Sequence, residues 1–150
     1  MKRVAAMVAA VVVLFGVSLA RGGDAKADLD KIQGTWKVES IKESKGGDPA
    51  DKMAKDFVVT VKDDVMTITL ASTKNKLVSY KLTLDPSKNP KTIDFKHADG
   101  EDKGKTERGI YKIEGDSFTF CVNDFDKDRP AAFATKDGTG ISLVTLKRSK

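Results

Sequence analysis

Four constellations in this 150-residue chain carry residue types that can do chemistry. Gly100-Glu101-Asp102-Lys103-Gly104-Lys105-Thr106 has the glycines, lysine and threonine of a phosphate-binding loop. Such a loop needs four residues between its glycines and a helix at its end, whose N-terminus meets the phosphate. Here three residues intervene, the chain continues with strand-like alternation, and Glu101 and Asp102 repel an anion, so nucleotide binding is not expected. Asp124-x-Asp126-x-Asp128 begins like a calcium loop. The full loop needs Gly at its sixth position and Glu at its twelfth, which fall on Arg129 and Thr135. A solvated acidic loop neutralised by Arg129 is the expectation, with a weak calcium site as the alternative. His97 is the only histidine, and zinc sites and nucleophilic triads need partners for it. It reads as a surface residue at a strand end. Cys121 is the only cysteine, so it forms no internal disulfide and is expected to pack as a small apolar side chain. No spacing of Asp and Glu selects a glycosidase pair. The chain is therefore expected to be no enzyme and to use no metal or cofactor.

The N-terminus carries an address. Lys2 and Arg3 precede an apolar or small run from Val4 to Ala20, the charge and hydropathy pattern of a secretory signal. The run is shorter than the ~20 residues of a comfortable membrane span, and polar Arg21-Gly22-Gly23-Asp24 follows it. Small residues suit cleavage after Ala20, Ala25 or Ala27. Ala27 is favoured, giving a signal peptide over 1–27 and a domain over 28–150, with an uncleaved anchor as the alternative. Export to the periplasm or the medium follows, with no membrane association after cleavage. Removing Lys2, Arg3, Arg21 and Lys26 together with Asp24 lowers the formal net charge from +5 to +2. The remaining lysines are interleaved with acids, so the clustered basic face of a nucleic-acid binder is missing.

The elements that must position these residues are short and mostly of period two. Asp28 is placed to cap one helical turn over residues 29–32. Strands are expected over 35–42 (Trp36 and Val38 on one face), 57–61, 65–70, 77–84, 92–97, 109–113, 117–122 and 141–148. Residues 131–135 form a ninth candidate. A helical stretch of about two turns, 49–56, would use Met53 as its apolar contact. Lys62-Asp63-Asp64 reads as a tight hairpin and Asp85-Pro86-Ser87-Lys88-Asn89-Pro90 as a turn. Eight or nine strands at this spacing suit a barrel, whose closure removes exposed edges. Tyr80, Tyr111, Phe57, Phe95, Phe118, Phe120 and Phe133 then either line a cavity or fill a dry core.

Gly34-x-Trp36 after a helical turn resembles the lipocalin and calycin signature. That resemblance implies a Trp that closes one barrel end against a basic residue near the end of the last strand, here Arg148. Residues 29–148 are more closely similar to an uncharacterised lipocalin-like domain family abundant in planctomycete bacteria. The matching segments are Ile32-Gln33-Gly34-Thr35-Trp36-Lys37-Val38, Leu84-Asp85-Pro86-Ser87-Lys88-Asn89-Pro90-Lys91-Thr92-Ile93-Asp94, and Lys103-Gly104-Lys105-Thr106 leading to Gly109-Ile110-Tyr111. Gly115-Asp116, Cys121, Arg129-Pro130, Phe133 and Leu146-Lys147-Arg148 complete them. The resemblance implies an all-β antiparallel barrel of about eight strands and an exported protein, and it transfers no activity. The expected function is binding of a small apolar or amphipathic ligand inside the barrel. The alternative is a structural or interaction module of the cell envelope.

Overall fold

A computed structural model of the protein describes residues 21–43 and 53–150. The signal-like segment up to Ala20 and the first residues of the 49–56 stretch lie outside the described residues. Alternating apolar and polar residues fold into eight antiparallel strands: β1 (Gly34–Glu43), β2 (Phe57–Lys62), β3 (Val65–Leu70), β4 (Lys76–Asp85), β5 (Thr92–His97), β6 (Thr106–Glu114), β7 (Ser117–Val122) and β8 (Ser142–Arg148). Each pairs with its neighbour in sequence, and β1 pairs with β8 to close the ring. The fold is a lipocalin-like all-β barrel. Its inward positions (Val59, Val61, Met66, Leu82, Ile93, Phe95, Phe118, Leu146) are buried, as period two requires.

Two local features adjust that alternation. The β1–β8 register shifts between Val38 and Ser40, an irregularity of the kind that lets an extra residue re-aim a strand. Trp36, Val38 and Ile41 consequently all face inward despite their uneven spacing. At the other feature, Gly109 sits opposite Val122 on β7. A Cβ there would lie 2.6 Å from the Cys121 carbonyl oxygen and 3.3 Å from Val122 Cα, so only glycine lets the two strands approach this closely. Gly109→Ala is expected to cost about 2–3 kcal/mol, in the range of forced overpacking. A urea midpoint unchanged from the native protein would contradict this.

The N-terminal helix is longer than one turn. It runs from Arg21 to Lys31 as α1, and Asp28 lies inside it rather than capping it. An i,i+4 pair, Lys26 to Asp30 at 3.0 Å, supports the exposed face, while Leu29 and Ile32 pack into the barrel core. In the later helical stretch Met53 is exposed and Ala54 is the buried contact, because the single turn seen there presents Ala54 to the protein. Residues 131–135 form no strand. They belong to an irregular strap across the outside of β6 and β7. There Pro130 is buried, and the Cys121 thiol lies 3.7 Å from the Ala134 carbonyl. Ile110 and Cys121, paired across the two strands, face outward yet are almost completely buried.

Candidate ligand cavity

The two ends of the barrel differ. At one end lie the short β2–β3, β4–β5 and β6–β7 turns, together with α1. Gly34 enters β1 there with φ +111°, a conformation that favours glycine. Trp36 follows, fully buried, and its indole N–H donates to the Ile32 carbonyl at 2.8 Å. Arg148 sits directly across from it on β8, with its guanidinium 4.3 Å from the Trp36 ring centroid. The same guanidinium donates to the carbonyls of Gln33 at 2.8 Å and Lys31 at 2.5 Å. Trp36 and Arg148 thus satisfy carbonyls left open where α1 ends. Lys147, next in the strand, is exposed on the opposite face.

Asp28 secures the same end. Its carboxylate accepts from the Tyr111 hydroxyl at 2.7 Å, Lys91 at 2.8 Å and Lys31 at 3.1 Å, and its side chain is 5% exposed. Burial opposes ionisation, but the hydrogen bonds from Lys91, Tyr111 and Lys31 outweigh it and hold this carboxyl below its ordinary range. Burial and the neighbouring Asp28 together raise the Tyr111 hydroxyl well above its own.

The other half of the barrel is not filled. A cavity of about 170 Å³ lies among Val38, Ile68, Phe95, Phe120 and Val144, and extends to Glu43, Tyr80, Glu107 and Ser142 toward the end opposite Trp36. The aromatic residues therefore divide between both roles. Tyr111 and Phe118 pack the closed half with Trp36, Phe57, Tyr80, Phe95 and Phe120 line the cavity, and Phe133 lies outside beneath Lys112. A chain of ring contacts joins the halves, from Trp36 through Phe118, Phe120, Phe95 and Tyr80 to His97, with centroid spacings of 4.6–5.9 Å.

His97 corrects the surface reading. It is 9% exposed, because it continues the inward row of Ile93 and Phe95 on β5. Its ring meets Tyr80 and Phe125, and its Nε2 lies 3.0 Å from Glu107 Oε1. Glu107 itself escaped notice because β6 begins three residues earlier than expected. Counted back from inward Tyr111, residues 109 and 107 share its face, so that parity could have found it. Ile41 and Glu43 were hidden by the shift in β1, which alternation alone does not reveal.

The remaining motifs do not converge on the cavity. Lys105 of the glycine-rich loop pairs with Asp102 at 2.8 Å and lies over the Phe125 ring, and the Gly104 N–H donates to the His97 carbonyl. Arg129 does not neutralise the acidic loop. Its Nη1 donates to the carbonyls of Ile93 and Gly109 at 3.1 and 2.7 Å and lies 2.8 Å from Asp94, pinning the strap to β5 and β6. Among the described residues no group of three or more His, Cys, Asp or Glu side chains is arranged to hold a metal ion. Burial pushes the Cys121 thiol up, away from the reactive thiolate. The chain matches no protein-family model, and comparison with curated proteins gives no match.

Proposed function

We propose that this is an exported, non-enzymatic barrel of the lipocalin-like kind that binds a small apolar or amphipathic molecule. The apolar cavity in its open half carries the reading. Packed interiors leave few voids larger than a water, whereas this one of about 170 Å³ is walled mainly by Val, Ile, Phe and Met. It is smaller than the ~300–1,000 Å³ sites of drug-sized ligands. It is comparable to an apolar cavity of about 150 Å³ that takes benzene. A molecule with one ring or a short branched chain therefore fits, and a long acyl chain does not fit wholly inside. Export rests on Lys2, Arg3 and the apolar run to Ala20.

Titrating the protein with toluene while recording amide and methyl NMR spectra tests the binding. Saturable shifts are expected at Val59, Ile68 and Val144, and Val144→Phe should abolish them by filling the space. Toluene that leaves those resonances unmoved up to its solubility limit would overturn the proposal.

A further inference from the structure

We propose that the cavity's ligand is a small amphipathic cation: an apolar body of one ring, bearing a protonated amine that Glu107 receives at the mouth. This rests on the reading of the barrel as a ligand site and adds the charge of the ligand.

The lining carries two carboxylates, Glu43 and Glu107, and two hydroxyls, Tyr80 and Ser142, but no lysine, arginine or histidine. Two described lysines are paired with acids of their own: Lys76 with Asp99 and Lys105 with Asp102. Among the described lining residues an anionic ligand would meet two acidic groups and no basic one in a partly desolvated space, which is costly. An ammonium would gain charge-assisted hydrogen bonds in the same place.

Glu107 is suited to receive it. Its side chain is 23% exposed, and its partner among the described residues is His97. The imidazole Nε2 lies against one carboxylate oxygen, Oε1, and leaves acceptor capacity on the carboxylate for a further donor. Tyr80 adds a second acceptor, since no described residue hydrogen-bonds its hydroxyl. Desolvation, with the charges of Glu107 and Asp102, keeps that hydroxyl protonated far above its ordinary range. The Tyr80, Phe95 and Phe120 rings border the same space and favour a cation over an anion. Glu43, exposed at the end of β1, adds negative potential at the rim.

Three probes of nearly one size separate the possibilities: phenethylamine, 2-phenylethanol and 3-phenylpropionate, each titrated into the protein at pH 8 and followed by NMR. The amine is expected to bind at least tenfold more tightly than the alcohol, and the acid to bind weakest. Glu107→Gln should bring the amine to the level of the alcohol while leaving the alcohol's affinity unchanged, with Glu43→Gln having a smaller effect of the same sign. Alcohol or acid binding as tightly as the amine would overturn the charge assignment and leave the cavity reading standing. If none of the three moves a cavity resonance, both fall. The comparison in the native protein decides the matter even where a variant fails to fold.

Discussion

Trp36→Ala is expected to destabilise the barrel by about 3–5 kcal/mol, the range for deleting a fully buried large aromatic. The side chain is 0% exposed, so its removal leaves a void between α1 and Phe118 that a closed ring of strands cannot collapse to fill. The Ile32 carbonyl loses its donor, and the Arg148 guanidinium loses the surface beneath it. Trp36→Phe keeps most of the volume and should cost roughly 1–2 kcal/mol, reflecting the lost N–H and a smaller void. Urea unfolding followed by far-UV circular dichroism measures both, since Trp36 is the only tryptophan and its fluorescence disappears with it. A loss below about 1 kcal/mol for the alanine variant would show that the end of the barrel repacks without it.

Asp28→Ala should cost about 3 kcal/mol, the lower part of the range for breaking a buried ion pair. The lower part applies because Lys91 and Lys31 are 41% and 60% exposed and regain water when the carboxylate goes. The Tyr111 hydroxyl, which is buried, does not. The same site gives stability a pH dependence whose sign follows from linkage. The folded-state pKa of Asp28 lies below its ordinary 3.8. Its contribution is therefore complete above that value and is lost as the pH falls through the lower folded-state value. Tyr111 acts at the other extreme. Its hydroxyl is raised above the ordinary 10.0, so its contribution is complete below that value and fades as the pH rises beyond it. Asp28→Asn isolates the acid limb. Urea midpoints should differ most between native and variant protein near neutrality and converge in acid below the ordinary carboxylate value. A gap that stays constant until both proteins unfold in acid would remove Asp28 as its source.

The strands were legible in the sequence because one-sided burial writes itself as alternation, and barrel closure followed from the cost of an open edge. What alternation cannot show is a shift in its own phase. The irregularity after Val38 placed Ile41 and Glu43 inside with no local signal. The helix was underestimated for a different reason. Gly22 and Gly23 have low helix propensity, yet α1 starts before them and docks its far end through Leu29 and Ile32. His97 shows the weight of context. Its side chain type suggested the surface, while its place in the row after Ile93 and Phe95 put it inside beside Glu107. The strap was unreadable because its order comes from side chains on the barrel wall. Arg129 binds two strand carbonyls, and nothing in residues 131–135 encodes that.

Seven of the eight strand pairings join neighbours in sequence, and the eighth joins β1 to β8. Hairpins form quickly because their loops are short. Bringing the two outermost strands together closes a loop of roughly a hundred residues, at an entropic cost of about 4 kcal/mol beyond a constant. During folding the chain is thus expected to be a growing ribbon whose final event is ring closure. Trp36 and Arg148 lie on opposite sides of that seam and directly face one another, so the stacking between them is absent from the ribbon. That stacking, with the Arg148 bonds to the Gln33 and Lys31 carbonyls, forms only at closure and acts as its clasp, slowing reopening more than it hastens assembly.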